Sequence, residues 1–151
     1  MKDLIEEAKR LFGDQTRPEH FTNYQHCREC AEHDETLRSY DLDSLSYEQL
    51  SPAWDPFCFI TPEGFSYYFP ALVRLALEGT GETYFIDQFL FHLEYDGPQN
   101  ARFQAFSKEQ RQFVARVLDY LLEHRAKEID ANFDANNLLR TMTVWSEPNN
   151  M

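Results

Sequence analysis

The sequence predicts a mainly α-helical protein, a single compact domain over residues 1–151 with about six helices, aromatic loops and at most one short strand pair. Three observations lead there. Apolar residues recur at helical spacing in several segments, Gly and Pro punctuate the chain between them, and 42% of the 151 residues are hydrophobic, with 15% aromatic. That much apolar surface is foreign to a disordered chain and is enough for one sizeable core.

Leu4, Ile5, Ala8, Leu11 and Phe12 form one stripe of a helix over 2–12, and Gly13 stands where a left-handed cap is expected. Arg17-Pro18 blocks continuation, so 19–25 reads as a loop. Helix-favouring residues then run from His26 to about Tyr40. Ser46-Tyr-Glu-Gln49 has the capping-box form and predicts one helical turn within a linker over 41–52. Trp54 to Gly64 is aromatic and bracketed by prolines, suited to an irregular buried loop with at most a short strand at 57–60.

Pro70 suits the first turn of a helix that ends at Gly79. A further amphipathic helix through Tyr84, Phe85, Phe89 and Leu93 closes at Asp96-Gly97-Pro98, and a turn or loop leads on to Phe106. Ser107-Lys-Glu-Gln110 opens the clearest helix, with Phe113, Val114, Val117, Leu118, Leu121 and Leu122 on one face to about Lys127. Asp134 caps a last helix over 135–144, Trp145 closes the fold, and a polar tail covers 146–151.

The chemistry is concentrated between His20 and Asp34. Two of three cysteines and three of five histidines fall there, and thiolates with imidazoles are the donors that Zn²⁺ prefers. Cys27, Cys30 and His33 supply three closely spaced ligands. The fourth is His20 folding back from its loop, with His26 as the competitor and the distant Cys58 as a further choice. His26 shares a helical face with Cys30 and His33, but adjacent residues such as His26 and Cys27 seldom both turn onto one ion. Two thiolates and two imidazoles make a neutral zinc site, and Asp34 is placed to orient a ligand imidazole. Such a site is a structural clip that pins the His20 loop to the following helix.

Other chemistries fit less well. A redox Cys27-x-x-Cys30 lacks the strand-to-helix context of thioredoxin-type motifs, and Glu29 and Glu32 disfavour a thiolate. A zinc hydrolase would need an open coordination position and a base from Glu32, Asp34 or Glu35, and no His-Glu-x-x-His, Gly-rich phosphate loop or Gly-x-Ser-x-Gly elbow is present. His92 and His124 read as ordinary structural histidines, and the Trp54–Phe69 aromatics as core before recognition surface.

The net charge of −12 belongs entirely to residues 1–100, and between Ser39 and Asn100 only Arg74 opposes ten acids. This field repels nucleic-acid phosphates and anionic lipid and favours a basic protein partner. The charged N-terminus is no signal peptide, no segment approaches a membrane span, and an odd cysteine count with a Cys-x-x-Cys points to reduced thiols, so the expected setting is cytoplasmic.

With Arg17-Pro18-x-His20-Phe21-Thr22, His26-Cys27-x-x-Cys30-x-x-His33-Asp34, Trp54-Asp55-Pro56 and Tyr68-x-Pro70-Ala71-Leu72 in view, most of the chain resembles a family of small acidic bacterial proteins of uncharacterised function. That resemblance implies a bacterial cytosolic setting and nothing catalytic. The expectation is therefore an acidic interaction domain with a structural zinc, of immunity or inhibitor type, with a small zinc hydrolase as the alternative.

Overall fold

Phe69 sits where four parts of the chain meet: its ring lies 4.9 Å from Phe12, 5.2 Å from Phe106, 5.6 Å from Phe65 and 6.0 Å from Phe89, centroid to centroid. In this computed structural model, which describes residues 1–146, the helix carrying Phe69 is the hub. Eight α-helices are present among the described residues: α1 (Lys2–Phe12), α2 (Arg28–Arg38), α3 (Pro62–Glu78), α4 (Ile86–Glu94), α5 (Ala101–Ala105), α6 (Lys108–His124), α7 (Ala126–Ala131) and α8 (Ala135–Ser146). None is long and apolar enough to cross a membrane. The tail at 147–151 lies outside the described residues.

The mainly helical reading stands, with eight helices in place of about six. The two extra ones, α5 and α7, have five and six residues, too few for an apolar period to show. Among the described residues the strand pair does not form. One isolated antiparallel bridge joins Thr22 to Ile60, where the Thr61 N–H donates to the Phe21 carbonyl at 2.8 Å. The proline-bracketed segment instead winds into 3-10 turns at Pro52–Trp54 and Pro56–Cys58, the second started by Asp55, whose carboxylate accepts the Phe57 N–H.

Helix α3 begins eight residues before Pro70. The Thr61 hydroxyl accepts the Gly64 N–H at 3.0 Å and Pro62 occupies the first turn, so a start signal stronger than Pro70 lies upstream. Pro70 is inside the helix and buried, and lacks the N–H that would return to the preceding turn. A Cβ on Gly64 would come within 2.9 Å of Ile60 Cγ1 and 3.0 Å of Phe21 Cδ1, so only glycine lets α3 approach the Thr22–Ile60 bridge. Gly13 ends α1 in a right-handed conformation (φ −69°), not the left-handed cap expected, and a Cβ there would meet the Lys9 carbonyl at 2.6 Å.

Trp145 on α8 is fully buried against Phe103 (4.9 Å) and Phe106 (5.7 Å), and its indole N–H donates to the Leu93 carbonyl at 2.9 Å. Ser107 and Gln110 form the reciprocal cap that starts α6. Edge and tilted ring contacts of this kind add about 0.5–1.5 kcal/mol each beyond the area they bury, which explains a core built so heavily from Phe.

The C-terminal end of α2 is held by groups distant in sequence. Arg17 donates from Nη2 to the Arg38 and Tyr40 carbonyls at 3.0 and 2.9 Å, and the Tyr68 hydroxyl donates to the Leu37 and Tyr40 carbonyls. These contacts satisfy carbonyls that a helix end leaves open, and they fix α2 against α3. Helix α2 also packs on the Pro56–Cys58 turn, and this junction frames the site.

Candidate metal centre

The helix after the His20 loop starts at Arg28, two residues later than its composition suggests. The segment before it turns, with the His26 N–H donating to the Asn23 carbonyl at 2.9 Å, and Cys27 is extended (φ −163°, ψ 171°) as the N-cap of α2. The Cys27 sulfur takes the cap role usually filled by an oxygen and accepts the Cys30 N–H at 3.4 Å. His26 is therefore off the helix, free of the constraint that keeps neighbouring helical side chains apart.

Turn, cap and first helical turn together gather three donors. Ligand atoms of His26, Cys27 and Cys30 all lie within 4.8 Å of one another, with Cys27 Sγ 3.3 Å from Cys30 Sγ and His26 Nδ1 3.7 Å from Cys30 Sγ. His26 and Cys27 are exposed and Cys30 is buried, so the group sits at the surface with one wall in the protein. The Cys30 N–H, the Cys30 thiol and His26 together bring the Cys27 thiol down to about 7, whereas sharing its proton with Cys27, and burial, push Cys30 up. The first proton leaves easily and the second does not, until a cation replaces it.

The other expected ligands are placed differently. His20 donates from Nδ1 to Asp34 Oδ2 at 2.7 Å and stacks on Tyr24 at 3.8 Å between centroids. Asp34 orients an imidazole as expected, but its Oδ1 also accepts the Phe21 and Thr22 N–H groups at 2.6 and 3.2 Å. His33 is 1% exposed, between the rings of Trp54 (4.5 Å) and Phe59 (5.0 Å). Among the described residues neither of its nitrogens has a hydrogen-bond partner, and Nε2 stands 3.6 Å from Glu29 Oε2, beyond hydrogen-bond reach. A buried imidazole unsatisfied at both nitrogens is costly, and a cation would relieve it. Cys58 belongs to a different group, with Asp55 and His92.

Three of these donors fit a soft or borderline divalent ion, two thiols and one imidazole beside them, whereas the orphaned His33 imidazole, one helical turn beyond Cys30, lies outside that group. Trp54 and Phe59, which wall His33, carried no metal signal in the sequence, and neither did the pairing of His92 with Asp55.

A family described as of unknown function, DUF6714, matches over residues 1–140. The chain belongs to this family. The match takes in the Cys27–Cys30 segment, the Trp54–Cys58 turns and every helix except the end of α8. No curated protein and no solved structure matches the chain.

Proposed function

We propose that this protein is a cytoplasmic, zinc-binding interaction protein of immunity or inhibitor type, whose metal site is structural and whose acidic surface meets a basic partner. The observation that carries the metal reading is the gathering of His26, Cys27 and Cys30 ligand atoms within 4.8 Å. Cys27 and Cys30 give two thiolates, His26 one imidazole, and His33 the fourth donor through one of its orphaned nitrogens. His26 is preferred over His20 because its ligand atom lies within that group and the ligand atoms of His20 do not. Two thiolates and two neutral imidazoles balance the charge of the ion.

The partner reading rests on charge. Arg74, the one cation between Ser39 and Asn100, turns its guanidinium onto the Leu42 and Leu45 carbonyls at 2.9 and 2.8 Å, and among the described residues it forms no ion pair with the ten acids. Nine of the ten acids of that segment are exposed or half-buried, and only Asp55 is buried. Such a surface steers a basic protein and repels nucleic acid and anionic membrane. The thiols are all free, which suits a reducing compartment.

The exposure of His26 and Cys27 favours one second reading, a zinc hydrolase with an open coordination position. Cobalt(II) substitution separates the two. A structural site gives tetrahedral, thiolate-rich absorption that added azide does not change and that His33→Ala disrupts. An azide-sensitive spectrum retained in His33→Ala overturns the structural reading. For the partner, affinity capture from the host at low and at high salt tests the charge: the captured protein should be basic and should be lost as salt rises. A salt-indifferent or acidic partner contradicts the reading.

A further inference from the structure

A second set of reactive side chains meets where the Pro56–Cys58 turn packs near α4 and α5. Asp55 is the anchor: Oδ1 accepts the Phe57 N–H at 2.9 Å, and Oδ2 accepts from Gln88 Nε2 at 3.0 Å and from His92 Nε2 at 2.8 Å. Asp55 and His92 are 7% and 1% exposed, so this pair is fixed. With Nε2 donating to a carboxylate, Nδ1 of His92 presents a lone pair on the other side of the ring. Cys58 Sγ lies within 4.8 Å of both the imidazole and the carboxylate, and Cys58 is exposed. A cavity of about 220 Å³ opens beside it, lined by Cys58, Phe91, His92, Tyr95 and Arg102, of which Phe91 and Tyr95 are exposed.

Arg102 makes this a binding site as well as a group of side chains. Its guanidinium donates to the His92 and Phe57 carbonyls and lies 4.6 Å from the Phe65 ring centre, yet among the described residues no carboxylate forms an ion pair with it. Burial lowers it to about 10. A guanidinium in a cavity wall without a carboxylate partner is suited to an anionic ligand. Arg102 Nη1 also stands 3.2 Å from His92 Nδ1 and so takes up its lone pair.

We propose that Cys58 is a nucleophilic thiol for a small acyl donor that carries an anionic group, with Arg102 holding the anion, His92 receiving the thiol proton and Asp55 positioning the imidazole. Nδ1 has one lone pair, so it accepts from Arg102 or from Cys58 but not from both. In the resting state Arg102 has it, and partial desolvation of the sulfur together with the Asp55 charge raises the Cys58 thiol. An anion that draws Arg102 to itself releases Nδ1. The Sγ–H proton passes to Nδ1, Sγ bonds to the acyl carbon, the bond from that carbon to its leaving oxygen breaks, and the leaving group departs with the electron pair. The product is a Cys58 thioester, with no change of oxidation state. This site shares no donor with the His26–Cys27–Cys30 group, so it stands or falls independently of the zinc reading.

The test uses two acyl donors that differ in charge, 4-nitrophenyl hemisuccinate and 4-nitrophenyl acetate, with labelling of Cys58 followed by peptide mapping on the full chain. Cys58 should react roughly tenfold or more faster with the hemisuccinate, the reverse of what an acidic chain does to an anionic reagent in urea, and free succinate should slow it. Arg102→Gln should bring the two rates within about twofold of each other, and His92→Gln should slow both. Asp55→Asn should lower the limiting rate and leave the half-saturating concentration of hemisuccinate unchanged, which a purely structural role would not produce. Equal rates with the two esters in the folded wild-type chain, or a Cys58 no faster than in the urea-unfolded chain, overturn the proposal. Both comparisons are made on the wild-type chain and decide the proposal even if a variant fails to fold.

Discussion

Nδ1 of His20 donates to Oδ2 of Asp34 across 2.7 Å, while Oδ1 of the same carboxylate takes the Phe21 and Thr22 N–H groups. Thr22 adds a hydroxyl bond to the Cys30 carbonyl at 2.6 Å. These contacts join the His20 loop to α2 through protein groups alone. The task left to a metal is narrower: to close the His26 turn onto the start of α2 and to satisfy His33.

Asp34 is 3% exposed and accepts three hydrogen bonds, so Asp34→Ala removes a buried acceptor and strands two backbone N–H groups. The expected loss is about 2–4 kcal/mol in urea unfolding, with Asp34→Asn losing less because its amide oxygen still accepts. A change below about 0.5 kcal/mol would remove Asp34 from its role as the loop's anchor.

Arg17 and Tyr68 close the same end of α2 from two sides. Tyr68→Phe keeps the ring packing against Phe21 (5.1 Å) and deletes only the hydroxyl, and should cost about 1–2 kcal/mol. Arg17→Met should cost a similar amount and raise amide exchange at the last turn of α2 and at Ser39, whose N–H bonds to the Glu35 and Thr36 carbonyls. Exchange unchanged there would contradict the capping role.

Burial pushes the Asp55 carboxyl up, but hydrogen bonds from His92, Gln88 and the Phe57 N–H outweigh it and hold the group below its ordinary value. The folded value is thus lower than the unfolded one, near about 3.9, so Asp55 stabilises the fold fully above that range and the contribution fades as pH falls through the folded value. Wild type should exceed Asp55→Asn by about 1–3 kcal/mol at neutral pH, with the gap narrowing below about pH 4. Urea titrations across pH check this, and a gap that widens with acid has the wrong sign.

Long helices were legible because their signals are local and redundant. Ser107 and Gln110 capped α6 as their spacing requires, and α4 closed near Asp96-Gly97, both with positive φ. Pro70 misled because a first-turn proline and an interior one look alike until Thr61-Pro62 supplies the competing start. The cysteine pair was legible from spacing. The place of His26 beside it was not, because that depends on Cys27 being extended, and this cap geometry is fixed by the Asn23–His26 turn. The Asp55–His92 pair joins residues 37 apart and left no local trace.

The central claim is a zinc ion on Cys27 and Cys30, and metal content of the purified protein tests it most directly. The account predicts close to one equivalent of zinc in wild type, under about a tenth in Cys27→Ser and Cys30→Ser, and a lower Tm after chelation that zinc restores. Less than about half an equivalent in wild type, or full zinc retained in both variants, would contradict it.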